Sequence, residues 1–507
     1  MTDKKDTFYI TTPIYYASSP PHLGSAYTTV VADVIARWHR LKERKTYFLT
    51  GTDEHGGRQV EAAQKAGLEP KEFVDGIAEK YRELWARLEI SNDVFIRTTD
   101  ERHVRQVKPF MEKWYESGDI YLGKYEGWYC TRCEEYKSDT ELVDGNCPIH
   151  GSPVENLEED NYFFRLSDYN DRLLELYESN PNFLRPSRAY KEMHALLKQG
   201  LQDLAISRPS VSWGIPVPWE PSHVIYVWIE ALLNYITAID FAEDPESFDH
   251  IWPADVHLMG KEIVRHHAVV WPAMLWSAGY EIPRNIFAHG HLLAGGEKIS
   301  KSGRGVTDIS PHELMDTYGV DGYRFHFVRS VSFGEDGNFS LEDVQARYNA
   351  DLANDLGNLA SRTIAMIERY FEGVVPSPEV SEDPEEALRA TFSSAEPAAD
   401  GLFADLRVTD AVAEIWKIVG HANRYLVERE PWKLAKDEDN RPLVAGVLAV
   451  TAEALTALAA LLFPVMPIAM KDLWSRLGFE GDPKLGAGSP SGNRVRVGEA
   501  LFPRIEA

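Results

Sequence analysis

Cysteine is scarce. The 507 residues hold three, Cys130, Cys133 and Cys147, a clustered and odd set that does not suit a disulfide framework and favours a reducing compartment, so a cytoplasmic location is expected. Positive charge is also in deficit: 53 Lys and Arg stand against 79 Asp and Glu, a net charge of −26. That balance excludes a surface coated for non-specific nucleic-acid or membrane binding, and any nucleic-acid site must be a local patch. The 35 Gly and 29 Pro are too few and too aperiodic for a collagen-like or low-complexity chain. A secretory signal is not expected, because Asp3 and Asp6 sit beside Lys4 and Lys5 with no long apolar stretch behind them. One run, Leu443 to Phe463, is long enough to span a bilayer, yet it is alanine-rich, holds Glu453 and is closed by Pro464 and Pro467. A buried bundle helix and no membrane partner are the expectation. No G-x-S-x-G motif and no solenoid period occur.

At ~100–200 residues per domain, the length implies two to four domains. Phe8 to Thr12 is aromatic and β-branched and reads as a strand that stops at Pro13. After the loop Ala17 to Pro21, the residues Leu23, Tyr27, Val30, Val31, Val34, Ile35, Trp38 and Leu41 recur at three- and four-residue steps, which predicts a helix. Tyr47 to Leu49 is a second strand. Strand, helix, strand is one βαβ unit, and such sheets bind ligands at the carboxyl end of the strand, here near Pro20 to Ser25. The pattern lapses from about Gly118 to Ser210. Strands resume at His223–Trp228, Val256–Met259 and Ile286–His289, and beyond Tyr348 the pattern is almost wholly helical. The fold class is therefore α/β with a parallel sheet, split by an insertion and followed by a helical bundle. The expected divisions are 1–117, the insertion 118–222, the second sheet half 223–325, a linking segment 326–350 and the bundle 351–507.

The insertion contains every cysteine. Cys130-x2-Cys133, thirteen residues, then Cys147-x2-His150 is an array that can enclose a metal tetrahedrally. Thiolates and a neutral imidazole suit Zn²⁺, and four protein ligands leave no open position, so one structural zinc is expected. The plainer alternative, three buried thiols and a surface histidine, leaves the knuckle spacing unexplained.

Two segments carry the phosphate chemistry. Pro21-His22-Leu23-Gly24-Ser25 lies where the first strand turns into a helix, so His22 and backbone N–H groups can face a triphosphate. Gly295-Gly296-Glu297-Lys298-Ile299-Ser300-Lys301-Ser302-Gly303 puts two lysines on a Gly-flanked loop. Alone, a histidine before a helix is more often a cap or packing residue, and the lysine loop reads as well as a solvated turn. Together they resemble the HIGH and KMSKS signatures of the class I aminoacyl-tRNA synthetases. Thr12-Pro13-Ile14-Tyr15-Tyr16, Gly51-Thr52-Asp53-Glu54-His55-Gly56, Trp213 to Pro218, Val224 to Trp228, Asn358 to Arg362 and Glu430-Pro431-Trp432 are similar in order and spacing to the methionyl-tRNA synthetase family, over essentially the whole chain. Two departures stand out: Ser25 replaces the last histidine of HIGH, and Gly303-Arg304-Gly305-Val306 follows the lysine loop where the family has leucine-glycine-asparagine.

The resemblance implies a Rossmann-like catalytic domain and a bundle that binds the anticodon. It implies ATP-dependent ligation of L-methionine to tRNA(Met) through methionyl-adenylate. His22, Lys298 and Lys301 would be catalytic, His22, Gly24, Ser25, Lys298 and Lys301 would bind ATP with Mg²⁺, and Asp53 would hold the methionine ammonium. Ile14, Tyr16, Trp228, Ala231, Tyr235, Ile263 and His267 would enclose the side chain; a thioether packs well on aromatic rings, at ~0.3–1.5 kcal/mol per sulfur–aromatic contact. Composition alone does not choose methionine over leucine. Asn358, Arg362 and Trp432 would read the anticodon, and a monomer is expected because no C-terminal dimerisation domain follows. The competing readings are another class I synthetase, a related adenylyltransferase, and a non-catalytic tRNA-binding protein of this fold.

Overall fold

Six strands form the main sheet: β1 (Phe8–Tyr16), β2 (Thr46–Asp53), β3 (Val94–Arg97), β4 (Leu184–Arg185), β5 (Val256–Gly260) and β6 (Ile286–His289). They lie in the order β3-β2-β1-β5-β6-β4, every pairing parallel. β1 does not stop at Pro13. It runs on to Tyr16 through a register shift between Thr11 and Ile14, which places the missing proline N–H where the ladder is already interrupted. The computed structural model describes residues 5–130, 135–137, 139, 141–148, 151–209, 211–294, 297–298, 310–378 and 380–506. Two compact units divide the chain. The first comprises Met1–Pro21, Lys45–Ala86 and Ser91–His289; the second comprises His22–Arg44, Arg87–Ile90 and Gly290–Ala507.

In the first unit the inner strands are near-continuous apolar or β-branched runs, as a sheet covered on both faces requires. Gly51 in β2 is fixed by its neighbour, since a Cβ there would come within 2.0 Å of the Ile96 carbonyl oxygen. The insertion is an antiparallel pair, Ile120–Cys130 with Glu155–Phe164, anchored where Trp114 meets Phe164 with ring centroids 4.7 Å apart. It also supplies β4, the edge strand beside β6. The expected strand at His223–Trp228 lies three residues earlier: a strand covers Glu220–Ile225 and a helix begins at Val227. A run apolar on all sides fits a buried helix as well as a buried strand.

In the second unit the Leu23–Leu41 helix buries Leu23, Tyr27, Val30, Val31, Val34, Ile35 and Trp38, the predicted stripe. Asp33 on it is fully buried and accepts from Arg324 at 2.7 Å. Arg324 also donates to the carbonyls of Val465, Leu88 and Pro464 at 2.8–3.0 Å, so this buried pair has its hydrogen bonds satisfied. Trp38 stacks on Phe403 at 4.3 Å and donates its indole N–H to Asp400 at 2.9 Å. Asp383–Ala404, Val408–Arg429 and Arg441–Leu462 are long bundle helices. Glu438–Leu462 is the one stretch among the described residues long and apolar enough to cross a bilayer. Its Val444, Leu448, Leu455 and Leu458 are buried, and Glu453 pairs with Arg389 at 2.9 Å; it is a core helix.

Candidate active site

His22 caps the Leu23–Leu41 helix with its side chain, Nδ1 accepting the Gly24 N–H at 2.9 Å. Nδ1 therefore presents a lone pair, and the neutral ring carries its proton on Nε2 as a donor. Ser25 closes the cap, its hydroxyl accepting the His22 N–H at 3.0 Å and donating to the His22 carbonyl at 2.8 Å. Ser25 is only 2% exposed, so its hydroxyl is engaged within the turn. A Cβ on Gly24 would lie 2.8 Å from His22 Cε1, so a larger residue here would displace the imidazole folded over the turn. The partial positive charge of the helix start favours an anion at this end. Lys298 lies in a short strand opposite Leu293. Lys301 and Gly303 to Gly305 fall outside the described residues.

The expected methionine residues all belong to the first unit. β1 and β2 pair Ile14 with Gly51 and Tyr16 with Asp53, which places Asp53 at the carboxyl end of β2. Asp53 is 5% exposed, and its carbonyl accepts from Ala17 N–H at 2.8 Å and Gln59 Nε2 at 3.1 Å. Trp228 meets Tyr16 edge-on, with centroids 6.1 Å apart, and stacks on His266 at 3.9 Å. His266 and His267 lie in a π-helical turn, His266–Val270, a widening that occurs often at functional sites. His267 Nδ1–H donates to the Ile263 carbonyl at 2.9 Å, which leaves Nε2 to accept the Tyr235 hydroxyl at 2.7 Å. Burial pushes the His267 pKa down to about 4, against a smaller opposing effect of that carbonyl. Burial also raises the Tyr235 pKa. The wall is thus neutral and aromatic, suited to an apolar, polarizable side chain. Behind it, Tyr9 Oη–H donates to the Tyr235 carbonyl at 2.7 Å, and Trp271 donates to His257 Nε2 at 3.3 Å, which leaves Nδ1–H for the Thr11 hydroxyl at 2.8 Å.

In the insertion, Cys130 ends its strand and Cys147 sits in a tight turn. The Cys147 N–H donates to the Ser152 carbonyl at 2.9 Å, and the Gly151 N–H to the Cys147 carbonyl at 2.8 Å. Gly145 and Gly151 take positive φ of 75° and 59°. Both cysteines are buried, and Cys130 Sγ lies 4.0 Å from Ser152 Oγ, so the two halves of the array meet at Ser152. Cys133 and His150 lie outside the described residues, among which no cluster of three or more His, Cys, Asp or Glu assembles. In the bundle, Asn358 and Arg362 are both exposed on the Asn358–Phe371 helix. The Arg362 guanidinium lies over the Trp432 ring, 5.2 Å from its centroid.

The family model "tRNA synthetases class I (M)" matches residues 8–156 and 140–364. The chain belongs to the methionyl-tRNA synthetases. A methionine--tRNA ligase of Streptomyces coelicolor is 47% identical, over 98% of this chain and 97% of its own, and one of Caldanaerobacter subterraneus is 49% identical, over 99% and 79%. A structure of Mycobacterium tuberculosis methionyl-tRNA synthetase in complex with methionyl-adenylate superposes with a TM-score of 0.95 at 40% identity, covering 98% of this chain and all of that one.

Among methionyl-tRNA synthetase residues, sequence reasoning passed over the neighbours of Asp53. Glu54 is fully buried and accepts from Arg97 Nε at 2.6 Å and Nη2 at 2.8 Å and from Thr52 at 2.6 Å. His55 and His103 both bond Glu230, at 2.9 and 3.0 Å. Glu54 and His55 stand within the quoted Gly51 to Gly56 motif and were legible there as polar residues after a buried strand. His103 lies inside an amphipathic helix, where no local signal marks it, and Glu230 is the one charged residue in the apolar Val227–Leu232 helix.

Proposed function

We propose that the enzyme binds methionine in the pocket of the first unit and reads tRNA with the bundle of the second. The chain is a methionine--tRNA ligase: it joins L-methionine to tRNA through methionyl-adenylate, using ATP with Mg²⁺. The methionine carboxylate attacks the α-phosphorus of ATP and pyrophosphate leaves. A terminal hydroxyl of tRNA(Met) then attacks the acyl carbon and AMP leaves. Negative charge grows on the phosphates in the first step, and Mg²⁺ supplies charge neutralisation there. His22 Nε2–H, Lys298 and Lys301 are donors suited to that charge. The observation that carries the pocket assignment is the Tyr235–His267–Ile263 relay, which holds a neutral aromatic wall facing the Trp228 and Tyr16 rings. Asp53 takes the ammonium, and Ile14, Ala231 and Ile263 complete the apolar lining. Charging of tRNA(Met) with labelled methionine tests the reading. Omission of ATP or Mg²⁺ abolishes it, and leucine or cysteine in place of methionine yields no charged product; efficient charging with either would refute the pocket.

Cys130, Cys133, Cys147 and His150 hold one structural Zn²⁺. Supporting this, the described half of the set is buried and drawn together at Ser152, and thiolates with imidazole suit the ion. Zinc binding would hold the insertion's loops and leave the chemistry to other residues. Metal analysis is expected to give one zinc per chain, lost in Cys130→Ser/Cys147→Ser. Asn358, Arg362 and Trp432 form the anticodon surface, with Trp432 as a stacking platform already capped by Arg362. A monomer in a reducing cytoplasm accompanies this reading, and light scattering tests the first part.

A further inference from the structure

Glu230 is 0% exposed and lies between Trp228 and Ala231 on the Val227–Leu232 helix, which carries one wall of the methionine pocket. Its Oε1 is 2.9 Å from His55 Nδ1, and its Oε2 is 3.0 Å from His103 Nε2. A carboxylate only accepts, so both histidines must donate. His103 Nδ1 lies 2.8 Å from the Thr237 hydroxyl, so both ring nitrogens are partnered. Burial raises the Glu230 pKa, and the charges and hydrogen bonds of His55 and His103 outweigh that effect and hold it below the usual glutamate range. A leucine would fill the same space without the desolvation cost of a buried carboxylate.

His55 follows Asp53 by two residues in the turn after β2. That turn is held on its other side by Trp213, whose indole N–H donates to the Glu54 carbonyl at 2.7 Å and whose carbonyl accepts the Gly56 N–H at 3.2 Å. The His55 ring packs edge-on against the same tryptophan at 5.5 Å. The pocket helix and the Asp53 turn are far apart in sequence, and Glu230 joins them through a single imidazole.

We propose that Glu230 is a positioning residue that fixes the ammonium anchor, Asp53, relative to the thioether wall, acting through His55. This rests on the assignment of Asp53 to the substrate ammonium. The arrangement makes discrimination for the α-amino group depend on a carboxylate that never touches substrate.

The test compares KM for L-methionine in pyrophosphate exchange with the inhibition constant of 4-(methylsulfanyl)butanoate, which is methionine without its ammonium. The inhibition constant divided by that KM measures the ammonium contribution. In Glu230→Gln one imidazole N–H faces the amide NH₂ in place of an acceptor, and the ratio is expected to shrink about tenfold to a hundredfold, the range a misplaced anchoring group costs. The inhibition constant of the desamino compound stays within about threefold of wild type on the same geometric grounds. A parallel weakening of both ligands would show a merely structural role and overturn the proposal. Asp53→Asn is the control: if it leaves the ratio intact, the ammonium assignment itself fails, whereas a ratio collapsed by Asp53→Asn but not by Glu230→Gln defeats Glu230 alone. If Glu230→Gln does not fold, His55→Asn, which spares the Glu230–His103 pair, carries the same expectation and the same overturning result.

Discussion

Tyr235 and His267 show how a few protons shape the site. With His267 Nδ1–H tied to the Ile263 carbonyl, Nε2 accepts the Tyr235 hydroxyl. Tyr235→Phe leaves that buried acceptor unpaired, at about 1–3 kcal/mol. The expected outcome is a methionine KM raised roughly 5- to 150-fold with the ATP KM unchanged, read from exchange kinetics with each substrate varied. Equal changes in both constants would remove Tyr235 from the methionine site. Ser25→Ala opens the cap that holds His22, and thermal unfolding is expected to show a loss of ~0.5–2 kcal/mol together with slower adenylate formation. At this scale the motifs made legible where His22 and Asp53 stand in the fold, at a helix start and a strand end. The sequence was silent for the partners of His103 and Glu230, because these are far apart in sequence and are brought together only by the tertiary fold.

At the scale of elements, the parallel strands and the Leu23–Leu41 helix follow from their apolar periods, while β1 passing Pro13 and the early helix at Val227 depend on tertiary pairing that no local pattern carries. The two-residue edge strand β4 was illegible for the same reason: it exists only as a partner of β6. The Leu23–Leu41 helix is locked within its unit by Asp33 and Arg324. Breaking a buried pair from one side strands the other charge, so Asp33→Asn is expected to cost about 3–5 kcal/mol, while Asp33→Leu/Arg324→Met recovers much of that loss. Urea unfolding of the three chains checks the order, and a double variant less stable than Asp33→Asn would contradict it. In the bundle, Trp432→Ala removes both the stacking face and the seat of Arg362. The tRNA KM is expected to rise about 5- to 150-fold, the effect of one lost stacked base at ~1–3 kcal/mol, with pyrophosphate exchange near wild type. A proportional fall in both activities would refute the anticodon role.

Across the whole molecule, acid should be the sharper stress. Burial lowers His39, His267 and His326 to about 4. Each is neutral when folded, and the unfolded chain takes up the proton first. Their stability is therefore complete above the unfolded value near 6.5 and is lost as pH falls from there to about 4, by up to ~1.4 kcal/mol per pH unit for each histidine. Asp321, raised by burial to about 6 over the opposing pull of the Ala469 N–H, works the other way and offsets part of the loss. The urea midpoint should fall steadily between pH 6.5 and 4.5, and a flat profile would contradict these buried neutral imidazoles. The proposal that methionine is recognised by the first-unit pocket and tRNA by the bundle is tested most directly by pyrophosphate exchange in the absence of tRNA, run with each of the twenty amino acids in turn. Methionine alone is expected to drive exchange, at full rate without tRNA. Faster exchange with any other amino acid, or none until tRNA is added, would contradict it.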